Sequence, residues 1–225
     1  MKYIVAIAIA LFSFTAQAVD FEVGVGRARH SDRGDGFWIQ EGFPHQMHMK
    51  PTAFEIGLTG VASRNGNVGV AWHADWAWLG MVRTQSYATP LDVNYDLKTK
   101  QCVGECLPMA NFVGAGHDHG FILSFEPFYE TGNWRFGVEI GPYIHKSTWH
   151  VNVYDLRYDY DSDPITLHMR NEDIWQVGGV FGWSISRKNL TLSYQYFKNK
   201  DRVMEYDTAG AVWSRVHMVS LKYKF

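Results

Sequence analysis

Two pairs of histidines and one pair of cysteines have the types and spacing to do chemistry. His45-x-x-His48 and His117-x-His119 each offer two imidazoles close together, a beginning of a metal site. No cysteine or carboxylate spacing completes either pair. Solvated histidines are the plainer expectation, and no metal or other cofactor is assigned. Cys102 and Cys106 are the two cysteines of the chain. Two thiols alone make a poor zinc site, and in an oxidising compartment a pair this close reads as a local disulfide. A third set is a mixture of charges: Glu22, Glu55, Asp75, Glu126, Arg135, Glu139, Lys222 and Lys224. What they do depends on the elements that carry them.

Each of those charges lies in a run that alternates with apolar residues, the period of a half-buried strand. Such runs fall at about 21–26, 52–62, 67–79, 119–129, from 134 onward, 173–185, 190–196 and at the end of the chain. Asn65-Gly66, Thr131-Gly132-Asn133 and Arg187-Lys188-Asn189 are short turns. Long polar stretches lie between them, at about 29–50, 81–118 and 151–172, with a shorter one at 199–210. Short turns alternating with long loops put all the turns at one end, the pattern of a transmembrane barrel. No segment past the N-terminus is apolar enough for a membrane helix.

In the last strand Val219, Leu221, Tyr223 and Phe225 share one face, and Ser220, Lys222 and Lys224 the other. With that strand, the chain resembles the small eight-stranded bacterial outer-membrane β-barrels of the OmpA-, OmpX- and OmpW-like class, whose members typically end in phenylalanine. The resemblance implies an all-β fold: an eight-stranded antiparallel up-and-down transmembrane β-barrel with short periplasmic turns and long extracellular loops. It places the chain in the bacterial outer membrane with both mature termini periplasmic. The implied partners are outer-membrane lipids and lipopolysaccharide, and the barrel assembly machinery acting through the C-terminal strand. Met1-Lys2-Tyr3, the apolar run Ile4 to Phe14 and Ala16-Gln17-Ala18 read as a signal peptide over 1–18, leaving 19–225 as one barrel domain. Aromatic residues make up 16% of the chain, which suits girdles at two interfaces. Trp134, Trp183, Tyr223 and Phe225 would form one, and Trp78, Phe121, Trp175, Tyr196 and Trp213 the other. A net charge of −2 gives no support to nucleic-acid binding.

Inside such a barrel the charged set faces inward, together with His73, Gln176 and Gln195. Buried charges must be paired, so a salt-bridged interior is expected. Arg135 would lie diagonal to Glu126, and Glu22 would meet Lys222 where the first strand closes on the last. OmpA-like barrels are filled in this way, which implies a plug of side chains. Pro127 and Pro142 interrupt two strands, and a bulge at Gly141-Pro142 is expected, which would leave the facing of Tyr143 and His145 open. His145-Lys-Ser147 resembles the motif of the outer-membrane lipid A deacylases, which use a histidine, a serine two residues later and a downstream glutamate. That resemblance implies His145 and Ser147 in a triad, with Asp159 as the nearest acid here.

The leading functional expectation is a rigid barrel that presents surface loops for interaction: adhesion, alteration of the host surface, or envelope stability. Its extracellular ligand is not legible. Phe37, Trp38, Tyr87, Tyr154 and Tyr158 supply loop aromatics for such contacts. The alternatives are a narrow channel for small or apolar solutes, using the room left by inward glycines, and a lipid A-modifying esterase.

Overall fold

The computed structural model describes residues 19–30, 45–88, 94–96, 98–99, 101–170, 174–199 and 214–225. The expected signal peptide, Phe37, Trp38 and Trp213 lie outside these residues. Among the described residues twelve strands follow in order: β1 (Val19–His30), β2 (His45–Lys50), β3 (Thr52–Asn65), β4 (Val68–Ala88), β5 (Tyr95–Asp96), β6 (Gln101–Cys102), β7 (Ala110–Thr131), β8 (Trp134–Leu156), β9 (Ile165–Arg170), β10 (Trp175–Arg187), β11 (Leu190–Lys198) and β12 (Arg215–Lys224).

Eight of them close a ring, β1-β3-β4-β7-β8-β10-β11-β12, and β12 returns to pair with β1. Every pairing in the ring is antiparallel. Closure leaves none of the eight with an unpaired edge along the ring. The turns at Gly66 and Gly132 have positive φ, 61° and 58°, a conformation that glycine adopts without strain. Lys188 takes the same conformation in the third turn, with φ 56°. All three turns, Val19 and Phe225 lie at one end of the ring.

The alternation seen in the sequence separates the two faces. Phe21, Val23 and Val25, Phe54, Ile56 and Leu58, and Phe121, Leu123 and Phe125 point outward and stay exposed. Val219, Leu221, Tyr223 and Phe225 continue this outer face. Between these positions Glu22, Glu55, Asp75, Glu126, Glu139 and Lys222 point inward and are buried. Along these positions the ring is thus apolar outside and polar within, the reverse of a water-soluble barrel.

Two expectations are corrected. The stretch 81–118 is not an irregular loop throughout: β4 and β7 stay paired as far as Ala88 opposite Ala110. Likewise β8 runs to Leu156, and β9 pairs with it inside the stretch read as polar. Val82, Ala110, Phe112, Trp149, Val151, Val153 and Leu156 form a buried cluster there, with Met49 against it. Those apolar side chains give the extension its own core, so the strands do not stop where the belt of exposed apolar residues does. The second correction concerns the prolines. No bulge occurs at Gly141-Pro142; the register holds from Ile122 opposite Tyr143 to Phe125 opposite Ile140. Pro127 and Pro142 point outward, and the β7–β8 ladder skips the pairs that would contain them, as a residue without an N–H requires. Tyr143 and His145 therefore face inward, and both are fully buried.

Candidate functional site

The charges meet because two glycines leave them room. Across β12, β1 and β3 the register lines up Lys222, Gly24 and Glu55. Across β1, β3 and β4 it lines up Glu22, Gly57 and Asp75. A Cβ on Gly57 would collide with the Asp75 carboxylate and the β4 backbone. With glycine in the middle of each row, side chains from the outer two strands close over it.

Lys222 is the hub. Its Nζ lies 3.2 Å from Glu55 Oε2, 3.6 Å from Asp75 Oδ2 and 3.8 Å from Glu22 Oε1. The expected meeting of Glu22 with Lys222 is thus one of three contacts. Beside the hub, neutral donors hold the other carboxylates. Ser124 Oγ donates to Glu139 Oε1 at 2.7 Å, and Gln195 Nε2 donates to Glu139 Oε2 at 3.0 Å. Ser184 Oγ donates to Glu126 Oε2 at 3.0 Å. His73 bridges two acids, with Nδ1 3.1 Å from Glu22 Oε1 and Nε2 3.5 Å from Glu126 Oε2.

Arg135 does not reach Glu126. It pairs with Glu130, Nη2 to Oε1 at 2.7 Å, and stacks on Phe128 at 4.0 Å from the ring centroid. Arg64 joins the same Glu130 carboxylate. This is a rim cluster at the turn end, where the guanidinium keeps contact with solvent. Lys224 is also at the rim, 3.2 Å from Asp20 Oδ2. A cavity of about 270 Å³ runs from these turns to Glu22, His73, Glu126 and Lys222. Farther up the barrel Leu79, Ile122, Tyr143, Phe197 and Met218 pack together with essentially no exposed surface.

Beyond that apolar layer sits a cluster the sequence reading missed. Asp118 is fully buried and accepts from three side chains. Tyr143 Oη donates to Oδ1 at 2.6 Å, while His145 Nδ1, at 2.7 Å, and Ser147 Oγ, at 2.5 Å, converge on Oδ2. The Tyr143 and His145 rings stack with centroids 5.0 Å apart. His145 Nε2 has no hydrogen-bond partner among the described residues, and Ser147 turns to the acid and not to the imidazole. A Ser–His–acid relay runs the hydroxyl into the imidazole; here both groups clamp one carboxylate. Asp159 is elsewhere, in an exposed turn where it accepts from the Asp161 N–H at 3.1 Å. In the sequence Asp118 closes a stretch with the look of a loop, which hides its inward position. The alternation Gly114, Gly116, Asp118, Gly120 was the available signal: small residues at every second position on an inward face.

The loop sites stay apart. Cys102 and Cys106 form a disulfide, with Cα atoms 6.0 Å apart, beside the short β5–β6 pair. His117 and His119 point outward and stack on Trp78, with centroids 4.3 and 6.2 Å away. His48 lies opposite Arg83 on β4, two strands from His117. His45 lies opposite Ser86. Among the described residues, Glu22, His73 and Asp75 are the group whose possible metal-ligand atoms all fall within 4.8 Å of one another.

The closed ring, its apolar exterior and its packed polar interior define an eight-stranded antiparallel up-and-down β-barrel. No protein-family model and no curated protein sequence matches the chain. Among solved structures it is similar to the crystal structure of Ail, the attachment invasion locus protein of Yersinia pestis, with 10% identity and a TM-score of 0.36, over 94% of this chain and 100% of that one. It is also similar to the backbone structure of Ail in a phospholipid bilayer nanodisc, with 9% identity and a TM-score of 0.27, over 92% and 100%. Likeness at this level adds nothing to what the strand pairing establishes.

Proposed function

We propose that the chain is an integral outer-membrane protein whose barrel is plugged by side chains and whose strand-extended end is displayed at the cell surface as an interaction platform. The observation that carries this reading is the outer belt. Val25, Phe125, Ile140 and Val177 are about 60% exposed, and like residues surround the whole ring. Soluble monomers rarely expose an apolar surface that continuous. A closed barrel is the β-form that satisfies its backbone groups in lipid. The plug is supported by the apolar layer around Tyr143 and Phe197 and by the charge network beneath it. The platform is supported by Tyr87, Tyr154, Tyr158 and Tyr160, all exposed at the end opposite the turns. Exposed aromatics on loops carried by a rigid scaffold suit recognition.

Two measurements test the reading. The purified chain, shown to be folded by a gel shift on heating, is placed in liposomes and assayed for leakage of small solutes. No leak above empty liposomes is expected, because the apolar layer closes the lumen. A reproducible, size-limited leak would put the narrow-channel reading first. Protease added to intact expressing cells is expected to cut within 157–163 and leave the ring whole. Cutting only after the cells are broken would reverse the orientation and remove the display role.

A further inference from the structure

The charge balance inside the barrel is incomplete. Glu22, Glu55, Asp75, Glu126 and Glu139 are all buried, and Lys222 is the only buried lysine or arginine among the described residues. Serine and glutamine donors hold Glu139, and Ser220 and Lys222 hold Glu55. Glu22 has the His73 imidazole at 3.1 Å and the Lys222 ammonium at 3.8 Å, whereas Asp75 has that ammonium at 3.6 Å. Asp75 is 1% exposed, yet neither of its carboxylate oxygens has a hydrogen-bond partner among the described residues. A buried carboxylate in that state is costly. The side chain is aimed at Glu22, across the gap that Gly57 leaves open.

We infer that this floor of the barrel binds a divalent transition-metal cation, of the Zn²⁺ class, through Glu22, His73 and Asp75. Their donor atoms already lie within 4.8 Å of one another, close to the spread of a first coordination shell. One imidazole with two carboxylates suits zinc and its neighbours better than the all-oxygen shells of calcium or magnesium. With Nδ1 turned to the metal beside Glu22, the other ring nitrogen faces Glu126 at 3.5 Å. A carboxylate in that place orients a metal-bound imidazole. The cation neutralises Glu22 and Asp75, and the long Lys222 side chain stays with Glu55. The cavity from the turns supplies the way in, since Glu22, His73 and Glu126 line its inner end.

The test uses the folded barrel in detergent, stripped with a chelator and titrated calorimetrically with Zn²⁺ alone. Saturable binding of one ion per chain is expected, with Ca²⁺ binding far more weakly. His73→Gln and Asp75→Asn, each checked by the heating gel shift, are expected to weaken Zn²⁺ binding by about tenfold or more. His48→Ala and His117→Ala, on the exterior, are expected to leave it unchanged. These exterior variants keep the test decisive even if the interior ones fail to fold. No saturable Zn²⁺ binding by the wild type overturns the site. Binding that disappears in His48→Ala or His117→Ala also overturns it, by moving the ion to the surface histidines.

Discussion

Replacing Lys222 by methionine is expected to destabilise the barrel by about 3–5 kcal/mol, the usual effect of removing one partner from a buried ion pair. Methionine keeps most of the volume, so the loss reports the charge and not a hole. Without the ammonium, Glu55 at 3.2 Å and Asp75 at 3.6 Å face each other with no lysine between them. Burial leaves them little water to replace it, with both residues 1% exposed. Lys224→Met is the control. Its partner Asp20 and the lysine itself are each about one-third exposed. A pair in that position is worth about 0–1 kcal/mol. Urea denaturation of the two variants in the same detergent gives the comparison. Equal midpoints would mean that the buried carboxylates do not depend on Lys222.

The sequence made one property of this barrel legible and hid another. Period-two alternation identified the outward Phe54, Ile56 and Leu58 and the inward Glu55 and Asp75 from their spacing alone, because a strand has only two faces. It brought Glu22 to Lys222 through the closure of the first strand on the last, but not Glu55 and Asp75 to the same ammonium. That convergence depends on the registers of β3 on β1 and β4 on β3, which set Glu55 and Asp75 level with Lys222 and Glu22. Arg135 was misplaced for another reason: a diagonal to Glu126 is reasonable within one hairpin, but Glu130 lies directly opposite at the rim and lets the guanidinium stay wet. The upper barrel was hidden for a different reason. Gly114, Gly116 and Gly120 are small because Thr84, Trp149 and the β8 backbone fill the space beside them. A glycine-rich stretch with polar neighbours reads as a loop until its partner strand is known. Asp118 was lost with it. The prolines misled in the opposite sense, since an outward proline beside a missing ladder pair needs no bulge.

Asp118→Ala is expected to destabilise the barrel by about 3–5 kcal/mol, through three stranded donors and not through a lost charge pair. The carboxylate accepts from Tyr143, His145 and Ser147 within 2.7 Å. Each buried donor left unpaired costs about 1–3 kcal/mol, and the full sum is reduced where a side chain turns to a new partner. Ser147 can turn, because it is only partly buried. Tyr143 and His145 cannot do so easily: they are fully buried and stacked on each other, and Tyr143 is also packed edge-on to Phe197. Most of the cost therefore falls on those two. Tyr143→Phe removes one donor together with its need for an acceptor, and is expected to cost only about 1 kcal/mol. In the double variant Asp118→Ala with Tyr143→Phe, the loss is expected to be smaller than the sum of the two single losses, since the stranded hydroxyl is gone. Urea midpoints for the four proteins complete the cycle. Strict additivity would show that Tyr143 and Asp118 do not depend on each other, and the cluster would then be packing alone.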